Sequence, residues 1–192
     1  HVGYPEQPQH EFLAHETWPH RIYGKNAVYD SGHHGNAILS RYPIIRWDNQ
    51  DISAHRLESR GLLHCEIALP QTTRLLHCIC VHFGLFKRWR GQQFGALTER
   101  IRQVVPDDAP LVIAGDFNDW NNHASRLLAH ELHLHEAFEA SHGSPAFSFP
   151  VGMALLRMDR IYVRGLKIQR SDVHAWRKIS DHAALSTTLV LP

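Results

Sequence analysis

The sequence predicts an α/β fold, a sandwich of mixed β-strands covered by amphipathic helices, and three observations carry that reading. Leu111-Val112-Ile113-Ala114-Gly115 is an unbroken apolar or small run, the pattern of a strand buried on both faces. Between Gly61 and Leu69 the residues Leu63, Cys65, Ile67 and Leu69 alternate, the pattern of a half-buried strand. Phe94, Leu97, Ile101 and Val104 recur at helical spacing between Gly91 and Val105, where Pro106 stops the helix.

In chain order, the first 22 residues are polar and broken by Pro5, Pro8 and Pro19. The chain begins with His1 rather than Met, which reads as a processed chain or a piece of a longer one. Asn36 to Arg41 reads as a strand entered through Gly32 and Gly35 and ended by Pro43. Pro70-Gln71-Thr72-Thr73 is a turn joining the Gly61–Leu69 strand to a returning strand, Arg74 to His82. Pairing Leu69 with Arg74 sets Cys65 opposite Cys78 and Cys80 opposite Leu63. The returning strand becomes almost wholly apolar towards its end and so belongs centrally. Beyond the Pro106 to Pro110 loop and the Leu111 strand, a short helix follows Asp119. Asn121 or Asn122 is its cap, and Leu127, Leu128 and Leu132 form its buried face. Residues 158–163, 166–174 and 184–190 read as the last strands. No repeat or linker divides the chain, so residues 1–192 read as one domain.

Composition narrows the function. With 43% hydrophobic and 20% charged residues the chain is of ordinary globular type. A net charge of +1 excludes a strongly basic nucleic-acid binder, so any attraction to phosphate must be local. No apolar run reaches membrane-spanning length and no signal-peptide pattern opens the chain. Cys65, Cys78 and Cys80 lack Cys-x-x-Cys spacing and read as packed, reduced thiols, which points to the cytoplasm. Of the 17 histidines, His130 and His133 are one residue too close for the helical zinc motif. They and His33, His34 and His135 read as surface or turn residues.

The candidate chemistry sits at strand ends. Asp116, Asn118 and Asp119 follow the buried run, where open α/β sheets gather ligands. Taken alone Asp116 or Asn118 could equally cap the next helix or make an Asx turn, and Asp119 reads as a helix cap. Asp181-His182 stands just before an apolar run, Asp159 inside a strand-like segment, and His82 at the end of the Arg74 strand. Carboxylate oxygens hold hard cations, and a histidine oriented by a carboxylate moves protons or contacts phosphate.

Five stretches occur in a fixed order: Gly35-Asn36-Ala37-Ile38-Leu39-Ser40-Arg41-Tyr42-Pro43, Val81-His82-Phe83-Gly84-Leu85, Gly115-Asp116-Phe117-Asn118, Met158-Asp159-Arg160-Ile161-Tyr162-Val163 and Ser180-Asp181-His182. In order and spacing they resemble the endonuclease/exonuclease/phosphatase superfamily from residue 23 onward. That superfamily includes exonuclease III-like repair nucleases, pancreatic deoxyribonuclease, neutral sphingomyelinases and inositol polyphosphate 5-phosphatases. The resemblance implies a four-layer α/β/β/α sandwich of two mixed sheets. It also implies a phosphodiesterase dependent on Mg²⁺ or Mn²⁺, with DNA or RNA the favoured substrate and phospholipid an alternative. By the same resemblance Asp181 and Asp116 lie beside the metal, and Asp116 orients or deprotonates the attacking water. Asn118 binds the phosphate or orients Asp116. His82 and His182 contact the phosphate or move a proton, and Asp159 orients His182; by itself Asp159 reads equally as an ion-pair partner of Arg157 or Arg160.

One departure stands out. The family's Asn strand and its metal-binding Gln-Glu strand have no counterpart ahead of Gly35, and Glu6-Gln7 is reversed among prolines. The expectation is therefore a fold lacking its N-terminal strands, with Glu58 or Asp119 first in line to replace the Glu. A phosphate-binding relic without catalysis is the non-enzyme reading. Arg60 is a further candidate phosphate or structural contact. The Phe83 to Arg90 loop mixes aromatics with three cations and could grip a nucleic acid or a lipid surface, or simply pack beneath the following helix.

Overall fold

The structure is a computed structural model that describes residues 17–29, 32–56, 58–70, 72–176 and 178–192. Glu6-Gln7 and Gln71 of the expected turn lie outside the described residues. Among the described residues the elements follow one another as β1 (His20–Tyr29), β2 (Gly32–Ser40), β3 (Ile44–Asp51), β4 (Gly61–Ala68), β5 (Leu75–His82), α1 (Lys87–Val104), β6 (Leu111–Asp116), α2 (His123–Leu132), β7 (His135–Glu136), α3 (Ala137–His142), β8 (Asp159–Arg164), β9 (Lys167–His174) and β10 (Ala184–Val190).

Six strands form a mixed sheet in the order β3-β4-β5-β6-β8-β7. Among the described strands only β5 and β6 run parallel; α1 makes the crossover between them. On one face α1 and α2 bury Phe94, Leu97, Ile101, Leu128 and Leu132 against Leu62, Ile79, Val81, Leu111 and Ile113. The other face carries two separate two-stranded sheets. The β1–β2 pair packs Ile22 and Ile38 on Leu63, Cys65 and Ile67. The β9–β10 pair, with α3, packs Ile168, Leu185, Leu189 and Phe138 on Ile161 and Val163. The α/β class and the mixed sheet agree with expectation, and the second sheet is represented by these two pairs.

The hairpin register is as the turn chemistry dictates. Cys65 faces Cys78 and Leu63 faces Cys80, and all three cysteines are free thiols. β5 is central, third in the six-stranded order. In β6, Leu111 and Ile113 are fully buried under the helices, but Val112 and Ala114 on the opposite face are only half-buried. The expected two-sided burial therefore fails on the side where the hairpin pairs leave the sheet partly open. α1 starts at Lys87, four residues before the helical spacing begins, because its first turn is built from cations rather than apolar residues.

Candidate active site

The sheet register sets three site residues in one row. His82 at the end of β5 pairs with Asp116 at the end of β6, which pairs with Asp159 at the start of β8. Side chains alternate across a sheet. Ile79 and Val81, Ile113, and Tyr162 point under the helices, so His82, Asp116 and Asp159 all point to the opposite face. Gly115 makes the placement of Asp116 possible. Its φ is +146°, and a Cβ there would strike the carbonyl of Val81 on the neighbouring strand.

His182 arrives from the loop between β9 and β10. Its Nδ1 lies 2.8 Å from Asp159 Oδ2, and its backbone N–H donates to Ser180 Oγ at 3.1 Å. Ser148 fixes that loop against β8. Its Oγ accepts from the N–H groups of Met158 and Asp159 at 3.2 and 3.1 Å, and its carbonyl from Ala183 N–H at 2.8 Å. The Phe149 ring then packs 4.8 Å from the His182 ring. No feature of the sequence singled out Ser148 or Phe149, since a serine and a phenylalanine in a Pro-containing segment are compatible with any surface loop.

Asp116 is held from two sides. Asn118 sits in the left-handed region at φ 48° and donates its backbone N–H to Asp116 Oδ1 at 2.8 Å. Its side-chain Nδ2 donates to Phe83 O at 2.8 Å and reaches Asp116 Oδ2 at 3.3 Å, bracing the β5 and β6 loops together. His82 Nε2 lies 3.6 Å from Asp116 Oδ2. Burial lowers the His82 pKa to about 4, helped by the positive fields of Arg60, His34 and His182. Burial likewise raises Asp116 to about 6, with Asp159 adding to the rise. The His82–Asp116 contact is thus a neutral imidazole beside a carboxylate at neutral pH, not an ion pair. For His182, burial alone would lower the pKa, but the hydrogen bond and charge of Asp159, then Asp116 and Asp181, raise it. Two histidines of one site are thereby pushed in opposite directions, the pattern that separates acid from base roles.

Other expectations meet mixed outcomes. Asp159 pairs with His182, while Arg160 donates to the carbonyls of Asp159 and Asp119 and to Asn122 Oδ1. Asn122 occupies the α2 cap position without a side-chain capping bond, and Asp119 is fully buried just ahead of that helix. Glu58 is engaged as a strut. Its carboxylate accepts from Gln93 Nε2 at 2.8 Å and Ala54 N–H at 3.3 Å, lies 3.6 Å from Arg60 Nε, and backs directly onto Gly84. Arg60 precedes β4 beside the end of β5, and its field reaches both His82 and Asp116. Of the three loop cations, Lys87 and Arg88 are exposed. Arg90 is buried, donates to the carbonyls of Gly84 and Leu85, and stacks 5.3 Å from the Trp120 ring. Phe86 is exposed rather than packed beneath α1. His33, His34, His130, His133 and His135 are all on the surface.

Among the described residues no three His, Cys, Asp or Glu side chains converge as a metal group. Asp181 stands exposed, its backbone carbonyl tied to Val151 N–H, and is not part of such a group with Asp116. The atoms at hand are nevertheless hard oxygen donors: the Asp116 carboxylate and Asn118 Oδ1, which is buried without a hydrogen-bond partner. Mg²⁺ is held by few carboxylates together with waters and substrate phosphate, so these donors fit such a cation in kind.

The fold and site define an α/β protein with a carboxylate-oriented histidine and a buttressed carboxylate at the strand ends of its six-stranded mixed sheet. The sequence model of the Endonuclease/Exonuclease/phosphatase family matches residues 3–182, and the chain belongs to that hydrolytic family. The uncharacterized protein YbhP of Escherichia coli (strain K12) is 44% identical over 192 residues, covering 98% of this chain and 76% of YbhP. An endonuclease/exonuclease/phosphatase structure from Beutenbergia cavernae superposes with TM-score 0.74 at 19% identity. It covers 94% of this chain, which spans only 56% of that protein's length. The mannosyl-6-phosphatase of Bacteroides thetaiotaomicron superposes with TM-score 0.71 at 18% identity, covering 95% of this chain and 81% of that one. At such identities the structural likeness concerns the fold alone. Among the described residues no helix is long and apolar enough to cross a membrane.

Proposed function

We propose that the protein hydrolyses phosphodiesters by in-line attack of water, with Mg²⁺ or Mn²⁺ as cofactor. The observation that carries the reading is the row His82, Asp116, Asp159 with His182 hydrogen-bonded to its end. Asp116, ionised above about pH 6, accepts a hydrogen bond from the attacking water and takes its proton as the new P–O bond forms, while the P–O bond opposite breaks and the departing oxygen takes a proton from solvent. Asn118 keeps that carboxylate from rotating away. His182, its Nδ1–H fixed on Asp159, presents Nε2–H to a phosphate oxygen and stabilises the charge growing there. His82, neutral, stands on the opposite side of Asp116 as a second donor to phosphate. A divalent ion held by Asp116 and Asn118 Oδ1 would supply Lewis-acid chemistry, drawing charge from the phosphate and acidifying water.

DNA and RNA are the substrates the family resemblance favours; the same groups would also act on other phosphodiesters. The mannosyl-6-phosphatase likeness makes a monoester the comparison substrate. The test is hydrolysis of bis(4-nitrophenyl) phosphate by the full-length protein. Asp116→Asn and His182→Ala should each lower it at least ~10²-fold, the scale of a lost proton-transfer or charge-stabilising group. If both folded variants keep their rate, the assignment is wrong.

A further inference from the structure

The end of the sheet that carries the candidate site is also where apolar side chains crowd into solvent. Leu85 and Phe86 follow β5, Met153 and Leu155 precede β8, and Trp176 and Ile179 join β9 to β10. Leu85 and Phe86 leave the strand end that holds His82, Met153 and Leu155 lead towards the one that holds Asp159, Trp176 and Ile179 lie in the loop that carries His182, and the six are between 55% and 79% exposed. A single exposed Leu means little, but a ring of them on several loops around one site marks an interaction surface.

These loops are braced. Phe149 and Leu156 bridge, with Ser148 and Phe149 N–H donating to Leu156 O and Leu155 N–H to Phe149 O. Met153 and Leu155 therefore stand at or beside the tip of a hydrogen-bonded turn. Val151 N–H donates to Asp181 O at 2.6 Å, tying that turn to the loop that carries Ile179 and His182. The same end exposes the cations Arg56, Lys87, Arg88 and Lys178, against the exposed carboxylates Asp51 and Asp181.

The chemistry of the rim selects a partner. A single-strand nucleic-acid channel uses aromatic platforms on which bases stack. Here four of the six, Leu85, Met153, Leu155 and Ile179, are aliphatic beside the two aromatics Phe86 and Trp176, and the net charge of +1 provides no broad basic track. Aliphatic tips interleaved with Lys and Arg match an anionic bilayer, where the tips enter the acyl boundary and the cations meet headgroups. We propose that the site end of the protein docks on an anionic phospholipid surface, which presents a headgroup phosphodiester to the row of His82, Asp116 and His182. This rests on the phosphodiesterase reading for its substrate, though not for the docking itself.

The experiment is flotation of the full-length protein with vesicles of phosphatidylcholine and phosphatidylglycerol in equal parts, beside vesicles of phosphatidylcholine alone. The native protein should float with the anionic vesicles, more weakly as salt rises. Met153→Asp with Leu155→Asp should weaken binding at least ~10²-fold, the scale of two buried aliphatic side chains. Replacing Lys87 and Arg88 by Ala should weaken it roughly tenfold. Both pairs lie outside the catalytic row, so hydrolysis of bis(4-nitrophenyl) phosphate should be unchanged. Docking is overturned if the native protein does not float, if the Asp pair floats as well as native, or if single-stranded DNA is bound and vesicles are not. Flotation that obeys these variants without hydrolysis of any phosphodiester would leave the surface standing and remove the phosphodiesterase reading.

Discussion

Asn118→Ala should damage stability and rate by separable amounts. Asn118 is 2% exposed, and its Nδ2 donates to Phe83 O at 2.8 Å and approaches Asp116 Oδ2 at 3.3 Å. Truncation strands buried polar atoms at a cost of ~1–3 kcal/mol. Alanine must also adopt φ near 48°, where Asn is tolerated and Ala is disfavoured by roughly 1 kcal/mol. The sum is ~2–4 kcal/mol of lost stability. Asn118→Gly removes the amide without the backbone strain and should recover about 1 kcal/mol of it. The rate should behave differently. Both variants keep the backbone N–H on Asp116 Oδ1 but lose the amide at Oδ2 and its tie to Phe83, so both should lose about 10²–10³ in turnover of a soluble phosphodiester. Urea unfolding and turnover measured on the same samples test this. If Asn118→Gly regains rate along with stability, Asn118 is a backbone device and its amide has no part in the chemistry.

Three further outcomes follow from the structure. His64 stacks on His77 with its Nε2 3.0 Å from Nδ1, and burial, then the charge of His77, lowers its pKa to about 4. Unfolded His64 binds its proton at the ordinary 6.5, so the folded state loses stability as pH falls between 6.5 and about 4. Replacing His64 by Leu should shrink the loss between pH 7 and pH 5 by about 2 kcal/mol in urea titrations; an unchanged slope would contradict a buried neutral His64. Asp159→Asn should let the His182 imidazole titrate at lower pH, followed by NMR, and cut turnover ~10²–10⁴-fold; an unaltered imidazole titration would deny the pairing. Glu58→Gln should destabilise by ~1–3 kcal/mol yet leave the half-saturating Mg²⁺ concentration of turnover unchanged, since Glu58 holds Arg60, Gln93 and Ala54.

Much of this architecture was legible where one physical rule dominated. Alternation and turn chemistry fixed the β4–β5 register down to Cys65 facing Cys78. The unbroken run at Leu111 located the strand whose end holds Asp116, though not its parallel pairing with β5. β3 went unseen because it is an edge strand whose residues, Trp47 and Asp48 among them, are largely exposed and carry no apolar alternation. β1 was hidden by Gly24, Lys25 and Asn26 inside it, where a register shift interrupts the pairing. In the site, strand-end residues could be read one by one, but their assembly depends on long-range contacts. Nothing local tells that Asn118 Nδ2 reaches Phe83 O, or that Ser148 ties Asp159 to the His182 loop. The Glu58 carboxylate, a stand-in metal ligand by its chemistry, is already engaged by three partners, a fact only packing reveals.

The central claim is that Asp116 and the His182–Asp159 pair perform cation-assisted phosphodiester hydrolysis. Its most direct test follows bis(4-nitrophenyl) phosphate turnover by the full-length protein before EDTA, after EDTA, and after adding back Mg²⁺ or Mn²⁺, in parallel with Asp116→Asn. The account predicts that chelation abolishes turnover, that either ion restores it, and that Asp116→Asn stays at least ~10²-fold lower at saturating ion. Turnover that survives chelation, or that Asp116→Asn supports in full, would contradict it.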